Sequence, residues 1–233
     1  ASEALSTTLI YLPTACSRCH LTHVQSCWPN ALARSFGAAD VLFYAGCEET
    51  SHVALWVDAA ARLPTKNVSL AWARWNPGMQ HGAMAPVVVA ARLGWFDAYE
   101  WVVRSNPDVT VVDWSFLESS MKTSDALLYT CHTMGKENVH TDFFAAKPGA
   151  MDHAHWGRGV HMRKINAEAS ANLVFQRTIE AGRATLWYGA SGACRIIGDL
   201  RAGTANRGAI HHHGHCYEGW WNLDGTRTVP PQP

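Results

Sequence analysis

Two hydrophobic rhythms alternate along this chain, and that alternation is what most limits its possible folds. Short apolar runs with strand character occur at Thr7–Leu12 (TTLIYL), Asp40–Tyr44 (DVLFY), Asn67–Trp72, Trp101–Arg104 and Val109–Val112. Between them lie segments of helical character at Pro29–Phe36, Val53–Leu63 and the Ala-rich Gln80–Leu93. Strand and helix taken in turn favour an α/β sandwich with a largely parallel central sheet. Downstream, Trp114–Lys122 reads as a short helix. Ala126–Thr130 and Asp142–Ala146 read as strands, the second halted by Lys147-Pro148-Gly149. Asn166 is placed to cap a helix running to about Ala181, with Gly182 as its stop. Leu186–Tyr188, Cys194–Ile197 and Ala209–His212 are short strand candidates, and Thr228–Pro233 reads as a flexible tail after a single domain over residues 1–227.

The chain has 233 residues, 48% of them hydrophobic, enough for one substantial core. Nineteen basic residues balance nineteen acidic ones and neither sign forms a run, so nothing in the charge pattern attracts nucleic acid or an anionic membrane. No apolar run approaches the roughly 20 residues of a spanning helix. Seven cysteines predict an oxidising compartment with two or three bridges and at least one odd thiol. A start at Ala1 and the sequon Asn67-Val68-Ser69 agree with a processed chain in the secretory pathway or another organelle lumen.

Cys16-Ser17-Arg18-Cys19-His20 matches the C-x-x-C-H pattern of c-type haem attachment. The flanking residues read as a loop after the first strand, not as a helical haem pocket, and favour a loop disulfide or a bridge from one of this pair to Cys27. In Trp101–Asp113 the apolar run is broken by Asn106-Pro107-Asp108 and then resumes. An amide and a carboxylate two positions apart between strands form a candidate metal-binding edge. The same triplet is also ordinary turn chemistry, with Pro fixing φ and Asp bonding nearby amides. Arg104, just upstream, suits a phosphate through bidentate guanidinium bonds, or a buried structural role beside Asp108. His211, His213 and His215 share one side if Ile210–Cys216 is a strand.

Several segments in order carry a resemblance. They are Cys27-Trp28-Pro29, ADVLFYAG at Ala39–Gly46, NPGMQHGAM at Asn76–Met84 and GWFDAYEWVVRSNPDV at Gly94–Val109. HTDFFAAKPGAM at His140–Met151, Asn166-Ala167-Glu168, CRIIG at Cys194–Gly198 and IHHHGHC at Ile210–Cys216 continue the series. Together they resemble a glycosyltransferase-like family of algae and large viruses, whose fold is similar to that of the GT-A nucleotide-sugar transferases. The resemblance implies a nucleotide-binding α/β half, an acidic metal motif after a central strand, and an acceptor-binding half completed by C-terminal segments. It implies a nucleoside-diphosphate sugar as donor, a glycan or protein as acceptor, and Mn²⁺ or Mg²⁺ as the ion.

In that pattern two Asp flanking one residue hold the ion. Here Asn106-Pro107-Asp108 stands at the place, so one carboxylate is an amide, which still offers a hard oxygen but one charge fewer. The resemblance adds His211 or His213 as a C-terminal metal ligand, and Asp142 and Glu168 as carboxylates facing the acceptor, one of them a general base. Glu168 has a structural alternative, since a carboxylate in a helix's first turn is stabilised by the dipole. Because Asn106 replaces an acid, a second reading is a catalytically silent relative serving as a binding or accessory subunit of a larger assembly.

Overall fold

All seven residues of the first strand, β1 (Thr8–Thr14), are buried, as expected of a strand covered on both faces. The computed structural model describes residues 8–33, 39–65, 67–74, 79–111, 114–133, 136–155, 167–193, 210–212, 220–221 and 227–228. After β1 come α1 (Arg18–Ser26), α2 (Trp28–Ala33), β2 (Asp40–Gly46), α3 (Thr50–Ala61), β3 (Val68–Ala73) and α4 (Met79–Arg92). They are followed by β4 (Trp101–Ser105), β5 (Val109–Val111), α5 (Trp114–Thr123), β6 (Ala126–Thr133) and β7 (Lys136–Ala146). A 3₁₀ turn at Pro148–Ala150, α6 (Ala167–Glu180) and β8 (Ala184–Ala193) precede three short strands, β9 (Ile210–His212), β10 (Trp220–Trp221) and β11 (Arg227–Thr228).

Seven strands form one sheet in the order β3-β2-β1-β4-β7-β6-β8. The pairs β1–β2, β2–β3, β1–β4 and β6–β8 are parallel, and β7 runs antiparallel between β4 and β6. Helices lie on both faces, because alternate residues of each strand serve opposite cores. Ile10, Leu12, Val41, Phe43 and Val103 pack with Trp28 of α2, Trp56 of α3 and Leu117 of α5. Leu9, Tyr11, Val102 and Phe144 pack with Val87 of α4 and with Val174 and Phe175 of α6. The expected α/β architecture with a mainly parallel sheet is therefore present.

Helix α6 ends as the sequence signals. Gly182 takes a φ of 66°, donates to Ile179 O, and is followed by Arg183 donating to Thr178 O, which closes α6 in a Schellman motif. Gly94 closes α4 the same way, with φ 70° and with Trp95 N donating to Ala90 O. One segment departs from expectation. Residues read as a cysteine-containing loop form α1, because Ser17 takes extended backbone and its hydroxyl caps the His20 amide at 3.1 Å. The cap at Asn166, the strand at Cys194–Ile197 and the tail beyond Thr228 lie outside the described residues.

Candidate functional site

Going along the chain, β2 and β3 are added on one side of β1 and β4 on the other. The carboxyl ends of β1 and β4 thus flank a topological switch point, where open α/β sheets bind their ligands. The residues singled out from sequence around Asn106 meet there with others that were not.

Thr14 ends β1, and its Oγ1 accepts the Cys16 amide at 3.1 Å and lies 3.0 Å from His20 Nδ1. Cys16 adopts a left-handed φ of 56° and is disulfide-bonded to Cys47, which follows β2, with 5.4 Å between their Cα atoms. The bridge ties the loop after β1 to the end of β2. It takes one sulfur of the C-x-x-C-H pattern out of thioether chemistry, which overturns the haem reading, and no bridge to Cys27 forms, since that thiol is free.

Beyond β4, Asn106-Pro107-Asp108 is a β-turn closed by Val109 N donating to Asn106 O at 2.9 Å. Ser105 Oγ braces it by donating to Val109 O at 3.0 Å, and Trp28 Nε1 by donating to Pro107 O at 2.8 Å. The turn reading is borne out. Asp108 Oδ1 lies 3.6 Å from His20 Nε2. Asn106 is bound twice to Asp142 of β7: its amide side chain donates to Oδ1 at 2.6 Å and its backbone N–H to the Asp142 carbonyl at 2.8 Å. The Asp142 N–H in turn donates to His140 Nδ1 at 3.1 Å.

Arg104 of β4 is 1% exposed, and its Nε and Nη1 have no hydrogen-bond partner among the described residues. Burial pushes its pKa down, opposed by the negative field of Asp142 first and then those of Asp108 and Glu168. Those carboxylates, named separately in the sequence, therefore share one buried cation. Glu168 sits in the first turn of α6. Burial also lowers His20, to about 4, against the pull of Asp142 and with help from Arg104, so its imidazole is neutral at neutral pH.

The histidine-rich segment reaches the same end of the sheet through its backbone. β9 pairs antiparallel with β5, placing His211 opposite Thr110 and His212 opposite Val109, directly after the Asn106–Asp108 turn. The His211 side chain and the whole of His213 lie outside the described residues. Among the described residues, no three His, Cys, Asp or Glu side chains converge as a metal cage. What they offer is Asp108, an Asn106 carbonyl whose NH₂ is already directed to Asp142, and a nearby neutral imidazole. This oxygen-led set fits a hard cation such as Mg²⁺ or Mn²⁺ that keeps open coordination positions better than a metal enclosed by protein.

The sheet order and this site can be set beside solved structures. The chain superposes on the mannosyltransferase Ktr4p of S. cerevisiae with a TM-score of 0.53 at 9% identity, over 78% of this chain and 68% of that one. The fold is GT-A-like. A mannosyltransferase from Pyrobaculum calidifontis, PcManGT, solved with GDP-Man and Mn²⁺, gives 0.50 at 13% identity over 80% of this chain. The chain spans 57% of the length of that enzyme. A nucleoside-diphosphate-sugar pyrophosphorylase from Vibrio cholerae gives 0.53 at 12% identity, over 89% of this chain and 96% of that one. No protein-family model and no curated sequence matches the chain.

Sequence reasoning missed His20 and Thr14 as site residues. In the sequence His20 reads as the last residue of the C-x-x-C-H pattern. The signal that places it correctly is Ser17, a helix N-cap three residues earlier that turns the imidazole back towards the end of β1.

Proposed function

We propose that this protein transfers a glycosyl group from a nucleoside-diphosphate sugar to a hydroxyl of a glycan or protein acceptor. The observation that carries the reading is the Asn106–Asp108 turn at the switch point of a GT-A-like sheet, hydrogen-bonded to Asp142 and flanked by His20. Asp108 and Asn106 would hold Mn²⁺ or Mg²⁺ together with the donor's diphosphate, and His211 or His213 is the candidate to add an imidazole. A bound divalent ion supplies neutralisation of the charge that develops on a departing diphosphate.

The remaining roles belong to the chain itself. Asp142, whose Oδ1 accepts from Asn106 and whose Oδ2 lies 3.7 Å from His140 Nδ1, is our candidate general base. Glu168, at the start of α6, is the second carboxylate proposed to face the acceptor. Arg104 is too deeply buried to meet a phosphate as it stands; we assign it to offsetting the negative charge of Asp142, Asp108 and Glu168 from within the sheet. The Cys16–Cys47 bridge supports an oxidising lumen as the compartment.

The test is hydrolysis and transfer across a panel of nucleoside-diphosphate sugars with Mn²⁺. Turnover of at least one donor is expected, and Asp108→Ala should lower kcat/KM by about 100-fold, the scale of losing one preorganised electrostatic stabiliser. Unchanged turnover in Asp108→Ala would remove the metal assignment. No turnover, no thermal shift with any nucleoside diphosphate and Mn²⁺, and stoichiometric copurification with a complex would favour the accessory-subunit reading.

The near full-length likeness to a pyrophosphorylase favours one second reading, nucleotidyl transfer from a nucleoside triphosphate to a sugar phosphate. Against it, the loop after β1, Ala15-Cys16-Ser17, has no glycine with which backbone amides could closely cradle a triphosphate. Pyrophosphate release from a triphosphate and sugar-1-phosphate mixture would decide for it.

A further inference from the structure

A cavity of about 280 Å³ lies on the face of the sheet that carries α4, over the amino-terminal halves of β2 and β3. It is remote from the site above. Asp40 begins β2 and Gly46 ends it, and at about 3.3 Å per residue the two ends are roughly 20 Å apart.

The sequence builds this cavity in three steps. In the β2–β3 register Leu42 pairs with Ser69 and Tyr44 with Ala71, so small β3 side chains leave room on the face where Leu42 and Tyr44 stand. Helix α4 stops at the Gly94 cap, and the chain then turns back to place Trp95 against Tyr44, with ring centroids 6.2 Å apart. Tyr99 follows and closes one end, its hydroxyl donating to Asp40 Oδ2 at 3.0 Å, while Asn67 Nδ2 donates to Asp40 Oδ1 at 2.9 Å.

We propose that this cavity is a binding site for a single neutral pyranose ring, seated on Trp95 with two adjacent hydroxyls directed to Asp40. Its size, just below the about 300–1,000 Å³ of sites for drug-sized ligands, suits one ring. Each Asp40 oxygen keeps acceptor capacity beyond the donor it already receives, and the two together match donors on neighbouring atoms. Asn67 and Ser69 add groups that donate as well as accept. A guanidinium, which has donors alone, would pair with Asp40 but leave the Ser69 hydroxyl donor without an acceptor; a hydroxylated ring satisfies both kinds and covers the indole with its apolar face. The inference is independent of the glycosyl-transfer reading.

Saturation-transfer NMR with a panel of methyl hexosides and methyl N-acetylhexosaminides tests it on the full chain. At least one glycoside is expected to bind at millimolar affinity. Trp95→Leu should weaken it about tenfold or more, Tyr99→Phe a few-fold, and Ala71→Phe, which fills the floor, should abolish it. Asp108→Ala should leave it intact, separating this cavity from the proposed donor site. Three results each overturn the proposal: no transfer to any glycoside at tens of millimolar, transfer that both Trp95→Leu and Ala71→Phe leave unchanged, or ethylguanidinium binding in the cavity where the glycosides do not.

Discussion

His20 shows how one side chain takes its character from its neighbours. An imidazole ordinarily titrates near 6.5, but burial holds this one down to about 4, so the folded state prefers it neutral. Its contribution to stability is therefore complete above about pH 6.5 and is lost as pH falls towards 4, because the unfolded chain then binds a proton that the folded one refuses. We expect the unfolding free energy, measured by urea titration in EDTA, to drop by up to about 3 kcal/mol across that window from this residue, and His20→Gln to flatten the slope. An equal slope in the variant would assign the pH dependence elsewhere. The carboxylates are a contrasting case. Asp108, Asp142 and Glu168 were each legible from sequence as candidates, but their common field at Arg104 was not, because they come from a turn, a strand and a helix far apart in the chain.

At the scale of elements, the loop after β1 is fixed by the Cys16–Cys47 bridge, which closes a span of 31 residues. In the chain-entropy view such a crosslink is worth roughly 3–4 kcal/mol. Cys47→Ser should lower the unfolding free energy by about that amount, and reduction of the wild-type protein should do the same; a loss under about 1 kcal/mol would place the loop's order in Thr14 and Ser17 instead. Strand and helix identities were largely readable here. β1, β2, β4 and α4 fall where periodicity puts them, and Gly182 stops α6 as expected. The failure at α1 has a simple cause. Leu21 and Val24 are too few to make a hydrophobic stripe along Arg18–Ser26, so periodicity gives little signal, and the helix depends on the Ser17 cap and on packing of Val24 in the core beneath the sheet.

At the scale of the molecule, β1 and β4 each send alternate residues into both cores, which couples the two faces. Trp56→Ala on one face and Phe175→Ala on the other should each cost about 3–5 kcal/mol. Both should shift one shared unfolding transition, followed by near-UV and far-UV circular dichroism, and separated midpoints would show that the faces unfold independently.

By itself the sequence determined the class of fold, since interleaved β-type and helical periodicities with largely apolar central strands admit little but a covered, mainly parallel sheet. It also determined the turn at Asn106-Pro107-Asp108, because that chemistry is local. Tertiary structure alone decided what the turn faces. Placing β4 beside β1 instead of β3 puts the turn at the switch point, the β4–β7 pairing brings Asp142 to Asn106, and β9 carries the histidine strand alongside. Strand order and cross-strand partners are set by burial summed over the whole sheet, a quantity that no short stretch of residues contains.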